Sequence, residues 1–216
     1  MQTGLLDVMA RAAASAGLDR DGWERQGAGD GEFSVLLPQT AEGRLVGDFP
    51  RHLAAFLERR NGDAPWEDRL RLRLAVHYGT AIADVNGRSG QGPVEVARLC
   101  DSPPLRAALK ESRADLAVML SDRIFTDVVR HGHAPSVAAD DLREVQVKVK
   151  EFSERAWLWI PRGRSVHSLR LAIPSSAEEP APQAAGDVPS PKPPASVHNE
   201  FHERVDARGA NFGFGG

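Results

Sequence analysis

Few side chains in this 216-residue sequence stand where they could do chemistry. Gly29-Asp30-Gly31 sets one carboxylate between two glycines. The flanking segments, Trp23 to Gln26 and Phe33 to Leu37, read as strands of a hairpin with this triplet at its tip. Glycine permits the positive φ of a tight tip, and a carboxylate held there could bind one Mg²⁺ or Mn²⁺ through oxygen. A bare turn is the competing reading, since Asp-Gly is a common turn dipeptide. His131-Gly132-His133 invites a metal reading, but no third ligand follows at a useful spacing, and histidine also suits a helix C-terminus for dipole reasons. Cys100 is the only cysteine, so no intramolecular disulfide and no cysteine cluster for zinc can form, and its expected place is apolar packing.

These residues need elements to hold them. Leu70, Leu72, Leu74, Val76 and Tyr78 alternate with Arg71, Arg73, Ala75 and His77, the period-two pattern of a half-buried strand. Gly79 permits a turn, and Thr80 to Val85 is expected to run back as its hairpin partner. Asn86-Gly87 marks a second turn, and the loop Arg88 to Pro93 feeds a helix carrying Val94, Ala97 and Arg98. Helices are expected from Leu5 to Ala16, stopped by Gly17, and from about Pro50 to Arg60, stopped by Asn61-Gly62. Trp66, in the connecting loop, is expected to cap the core. A short helix follows around Leu105, Ala108 and Leu109. Leu116 to Leu120 reads as a strand buried on both faces. Ser121 is then expected to cap a helix carrying Ile124, Phe125, Val128 and Val129. Leu142 to Val149 and Ala156 to Ile160 make two last strands.

The stretch from Leu70 to Asp101 resembles the class III nucleotidyl cyclase domain, where a strand ending in H-x-G leads through D-x-x-G-x-x-x-N-x-x-x-R to a helix. His77 and Gly79 match the first motif; Gly90 and Arg98 match the glycine and arginine of the second. The family's asparagine falls on Val94 and its base-reading acidic residue on Gly87. By the same resemblance, Gly29-Asp30-Gly31 corresponds to the hairpin that carries the second metal-binding aspartate, with Asp30 as ligand and with Gly29, Gly31 and Gly90 against the nucleotide. Arg25 and Gln26 stand where the family places a lysine or glutamate to read the base. Val147-Lys-Val-Lys-Glu151 is similar to the V-x-x-K-G segment that presents a lysine to the phosphates; Lys150 is the better match, with Lys148 next and Glu151 in the place of the glycine. Lysines on the solvent face of alternating valines are the ordinary alternative.

A looser resemblance, to the actinobacterial cyclase-like proteins, covers most of Gly29 to Pro161. It rests on Gly29-Asp30-Gly31, Arg98-Leu99-Cys100-Asp101, Asp122 to His131 and Val147 to Glu151, in that order. The fold implied is α+β, a ferredoxin-like cyclase-type sheet covered by helices, of antiparallel character. The family opens with a central strand bearing D-x-x-G-F, whose aspartate is the other metal ligand. Here the first helix begins almost at Met1, so that strand is apparently lacking. Either the strand is lost, with neighbours or another chain closing the gap, or the natural start lies upstream; the cost of unpaired strand backbone favours the second.

Three regions are expected: a degenerate cyclase-like domain at 1–161, a disordered Pro/Ala/Ser-rich linker at 162–196, and a short C-terminal motif at 197–216. The last carries Val197, Phe201, Val205 and Phe212 and reads as an inert end, a strand-adding motif for a protein partner or, less readily, a glycine-rich phosphate nest. A net charge of −3 gives no basic field for nucleic acid, and no apolar run approaches membrane-spanning length, so a cytoplasmic protein is expected. The resemblance implies two functions. One is a non-catalytic signalling or docking module, a pseudoenzyme that binds a nucleotide weakly. The other is a homodimeric cyclase that uses Mg²⁺ or Mn²⁺, Asp30, Arg98 and Lys150 to convert a nucleoside triphosphate to a cyclic nucleotide.

Overall fold

The computed structural model describes residues 2–28, 31–36, 40–84, 87–163 and 165–171. Helix α1 (Gln2–Ser15) buries Leu5, Val8, Ala12 and Ala13 along one stripe and ends at Gly17, whose φ of 67° is the left-handed stop the sequence calls for. Strands β1 (Glu24–Ala28) and β2 (Gly31–Val35) pair antiparallel, Ala28 opposite Gly31. A π-helical turn at Arg44–Asp48 leads into α2 (Phe49–Asn61), which buries Phe49, Leu53, Ala54 and Leu57. The Asn61 amide then satisfies both backbone groups of Leu70, donating to its carbonyl at 3.0 Å and accepting from its N–H at 2.9 Å. That exchange fixes where the following strand begins.

Strand β3 (Leu72–Val76) is not half of a local hairpin. It pairs in parallel with β6 (Leu116–Ser121), Leu72 opposite Leu116 and Val76 opposite Leu120. The segment expected to fold back on it instead makes a separate short ladder, β4 (Ile82–Asp84) against β5 (Gly87–Ser89). The crossover from β3 to β6 runs through α3 (Gln91–Cys100) and α4 (Pro103–Ser112). Such a connection suits parallel strands, and burial on both faces of β6 rewards it. Short α5 (Asp122–Ile124) continues as a π-helical stretch, Phe125–Arg130. Antiparallel β7 (Arg143–Val149) and β8 (Phe152–Trp159) complete a four-stranded sheet of order β3-β6-β8-β7.

The architecture is therefore α+β with a mixed sheet, whose one parallel pair, β3–β6, is joined by the helical crossover through α3 and α4. Alternate residues of β6 serve two cores. Leu116, Val118 and Leu120 join α1, α2 and Ile124, Phe125 and Val128 on one face; Ala117 and Met119 join Leu99, Leu105, Val147, Ala156 and Leu158 on the other. Val166, Leu169 and Leu171 are buried in the second core. Packing thus runs past Pro161, where composition placed the start of a linker; apolar residues spaced among polar ones give composition little to detect. The motif expected at 197–216 and most of the expected linker lie outside the described residues.

Two smaller expectations are corrected. Trp66 does not cap the core: it sits half-exposed in a 3₁₀ turn, its ring centroid 4.2 Å from the Arg71 guanidinium carbon. Ser121 precedes α5, but its hydroxyl makes no capping hydrogen bond.

Candidate functional site

The resemblance singles out two cations, and α3 and the β7–β8 hairpin bring them to one corner. Val149 pairs with Phe152, so Lys150 and Glu151 are the two central residues of the turn. Lys150 is exposed and adopts φ 54°. A residue with a Cβ occupies that left-handed region at a cost of about 1 kcal/mol, and a two-residue hairpin ordinarily puts glycine there. Arg98, on the last turns of α3, lies with its guanidinium 5.9 Å from the Phe152 ring centroid, and Nη2 is 3.8 Å from Glu151 Oε2. Lys148 is exposed between Val147 and Val149 on β7, which is the solvent-face arrangement of the ordinary alternative.

The glycines of the same motifs have a packing reason. A Cβ on Gly92 would stand 2.8 Å from the Gly79 carbonyl carbon and 2.9 Å from Thr80 O, and the Gly92 N–H donates to Thr80 O at 3.1 Å. Gly90, at φ 115°, would bring its own Cβ to 3.0 Å from the same oxygen. The first turn of α3 therefore rests backbone to backbone on the end of the H-x-G segment, as a side chain at either contact would forbid. Gly92 is the residue that sequence reasoning passed over. His77 lies under α3 with Nε2 2.8 Å from Glu95 Oε2, an ion-pair separation in which the ring is not aligned for a directed hydrogen bond. Val94, at the asparagine position, is 48% exposed.

The hairpin that would present Asp30 is held next to its tip, at the Gly27–Glu32 pair. Arg20 donates two hydrogen bonds to Glu32, at 2.8 and 2.7 Å, with both side chains only 7% exposed, and Ser34 Oγ adds a third at 2.7 Å. Burial works against ionisation of Glu32. The Arg20 and Ser34 hydrogen bonds outweigh it and hold the carboxyl below its ordinary range. Neither Arg20 nor Glu32 carried a sequence signal, because the two are 12 positions apart in no recurring pattern. Gly31 closes the ladder opposite Ala28; Gly29 and Asp30 lie outside the described residues. Among the described residues no group of three His, Cys, Asp or Glu side chains converges as a metal site.

The segment from Asp122 has its own structural account. Asp122 accepts from Arg155 Nη2 at 2.8 Å and from Trp157 Nε1 at 2.9 Å, and Phe125 stacks on Trp157 with centroids 3.5 Å apart. The Arg155 hydrogen bond, with that of Trp157, holds the Asp122 carboxyl below its usual value against the opposing effect of burial. Tyr78, beyond β3, is pushed up to about 12 by burial and then by its hydrogen bond to Glu42. His131 and His133 are exposed past the end of the π-helical stretch, ring centroids 6.3 Å apart. Among the described residues no helix is long and apolar enough to cross a membrane.

No family model matches the chain, and no curated protein matches it. Among solved structures, an adenylate/guanylate cyclase/hydrolase from Silicibacter pomeroyi aligns with 75% of this chain and 88% of its own, at 17% identity and a TM-score of 0.46. At that identity and overlap no residue's role transfers.

Proposed function

We propose that the chain is a non-catalytic cyclase-like signalling or docking module that holds a nucleotide weakly at the corner of α3 and the β7–β8 turn. The observation that supports this most is Glu151. Its carboxylate lies 3.8 Å from the Arg98 guanidinium and is 86% exposed. A triphosphate reaching for Arg98 would meet that negative charge, and the exposed Val94 one helical turn earlier offers no polar group to orient a reacting sugar. The residual cations, Arg98 and Lys150, are enough for loose attraction of an anion and short of a charge-stabilising cradle. Signalling would then pass through protein contacts, including one made by residues 197–216.

One observation favours the alternative, a homodimeric class III cyclase using Mg²⁺ or Mn²⁺: Arg98 and Lys150 do share one corner of the fold. Asp30, the metal ligand that the resemblance implies, lies outside the described residues. The deciding experiment incubates the full chain at high concentration with ATP, GTP, CTP or UTP and Mn²⁺, beside an Asp30→Ala variant, and analyses products by mass spectrometry. No cyclic nucleotide is expected from either protein. A cyclic product that disappears in the variant would overturn the proposal and establish the cyclase.

A further inference from the structure

Strand β7 is an edge of the four-stranded sheet: β8 lies on one side, and among the described residues no strand pairs with the other. Which backbone groups face outward follows from the hairpin. Val149 and Phe152 close a two-residue turn, so Val149, Val147, Val145 and Arg143 exchange hydrogen bonds with β8. The N–H and C=O groups of Glu144, Gln146 and Lys148 then point away from the sheet, and among the described residues none of them has a hydrogen-bond partner. Side chains alternate as well. Val145 and Val147 are buried in the second core, while Glu144, Gln146 and Lys148 are exposed on the opposite face.

A row of unpaired groups along a strand of seven residues is a template for another strand, which proteins ordinarily block with a proline, a bulge or a lone lysine. Here the lysine is not alone. Glu144 and Lys148 flank Gln146 symmetrically on one face, at the centre of a strand that runs from Arg143 to Val149. Antiparallel pairing of β7 with a copy of itself, about a two-fold axis at Gln146, sets Glu144 opposite the copy's Lys148, Lys148 opposite its Glu144, and the two glutamines opposite each other. The same axis matches Arg143 with the copy's Val149, so the strand pairs along its whole length, and each outward pair exchanges both of its backbone hydrogen bonds. A shift by two residues either way sets Gln146 against a charged side chain and runs a strand end into a turn or loop. The charges are available for such a match. Lys148 makes no ion pair among the described residues, and Arg155, whose charge acts with that of Glu144, is held by Asp122 at 2.8 Å. Gln146 donates to Ser153 Oγ at 3.2 Å and keeps its side-chain carbonyl.

We infer that β7 is a self-recognition edge, through which two copies of this chain join antiparallel about Gln146 and merge their four-stranded sheets into one. Because Val145 and Val147 are already covered, the contact is made of backbone and polar groups, and its expected dissociation constant is on the order of micromolar. The contact stands whether or not the α3 corner holds a nucleotide.

Sedimentation equilibrium of the full chain, at loadings from micromolar to millimolar, tests it. A monomer–dimer equilibrium is expected. Lys148→Glu and Glu144→Lys each set like charges opposite one another on both sides of the axis, and each is expected to weaken the dimer about tenfold. The double variant, Glu144→Lys with Lys148→Glu, restores the match and is expected to return to within about threefold of the unaltered affinity. Both side chains are exposed, and thermal melts of the variants check that the fold is kept. A chain that stays monomeric throughout would overturn the assignment. So would a dimer indifferent to both single reversals, which marks a different surface, the interface of a homodimeric cyclase included, or a double variant as weak as the singles. Should one single variant fail to fold, the other and the double variant still decide.

Discussion

Two Arg–Glu pairs in this molecule use the same side chains to different ends. Arg20 and Glu32 meet in a buried, two-pronged contact beside the tip of the β1–β2 hairpin, with every separation under 3 Å. Arg98 and Glu151 meet at 3.8 Å, on a turn whose glutamate is almost wholly in water. Charge and residue type are identical, so burial and geometry make the difference. In the first pair low dielectric and aligned donors make the interaction strong and make its loss costly. In the second, solvent screening leaves an attraction of at most about 1 kcal/mol. A rigid clamp beside one hairpin's tip and an easily displaced charge at the α3 corner follow from that contrast alone.

The comparison breaks most visibly at Arg20. Arg20→Ala leaves Glu32 buried with Ser34 as its hydrogen-bond partner and Arg25 as a weaker charge neighbour, and should cost about 3–5 kcal/mol, measured as the fall in urea-unfolding free energy at neutral pH. The sign of its pH dependence follows from the two states of Glu32. In the intact protein its depressed pKa contributes stability that is present above the unfolded carboxyl value and lost as pH falls through the folded one. In the variant only Ser34 and the charge of Arg25 still oppose burial, so the Glu32 pKa moves upward and protonation relieves part of the cost. The gap between the two proteins should therefore narrow as the solution is acidified; a constant gap would show that the pair is held by packing and not by charge.

A smaller change of opposite sign is expected at the other pair's turn. Lys150→Gly removes a Cβ from a left-handed position and should raise stability by about 0.5–1 kcal/mol, read as an upward shift of the thermal midpoint. A loss instead would mean that the lysine side chain makes a contribution exceeding its backbone strain. The least effect belongs to Glu151→Gln, which should alter stability by less than about 0.5 kcal/mol in the same melts. If it costs as much as Arg20→Ala, the two pairs are not different in kind.

Much of the framework was legible before any coordinates. The stripe from Leu5 to Ala13, the stop at Gly17, the helix closed by Asn61-Gly62 and the run Leu116 to Leu120 all follow from period and local backbone preference, and each appears where expected. The pairing of β3 was not legible. A turn signal after Tyr78 looks the same whether the chain folds back on its own strand or leaves for a crossover, and the energy that decides the matter comes from β6, some forty positions later in sequence. Site residues divide in the same way. The resemblance named Arg98 and Lys150, and their common corner is visible only once α3 lies against β8. Gly92 announced nothing, because its need for no side chain arises from the Gly79 backbone pressed against it.

By itself, then, the sequence determined those properties set within a few residues: which segments coil, which extend, where glycine must stop a helix, and how much apolar surface each element has to hide. Tertiary structure decided the rest. It chose a parallel neighbour for β3, buried one Arg–Glu pair and left the other in water, and carried the packed region to Leu171. Each of these depends on the distance and dielectric between groups far apart along the chain, and neither quantity exists until the elements have packed.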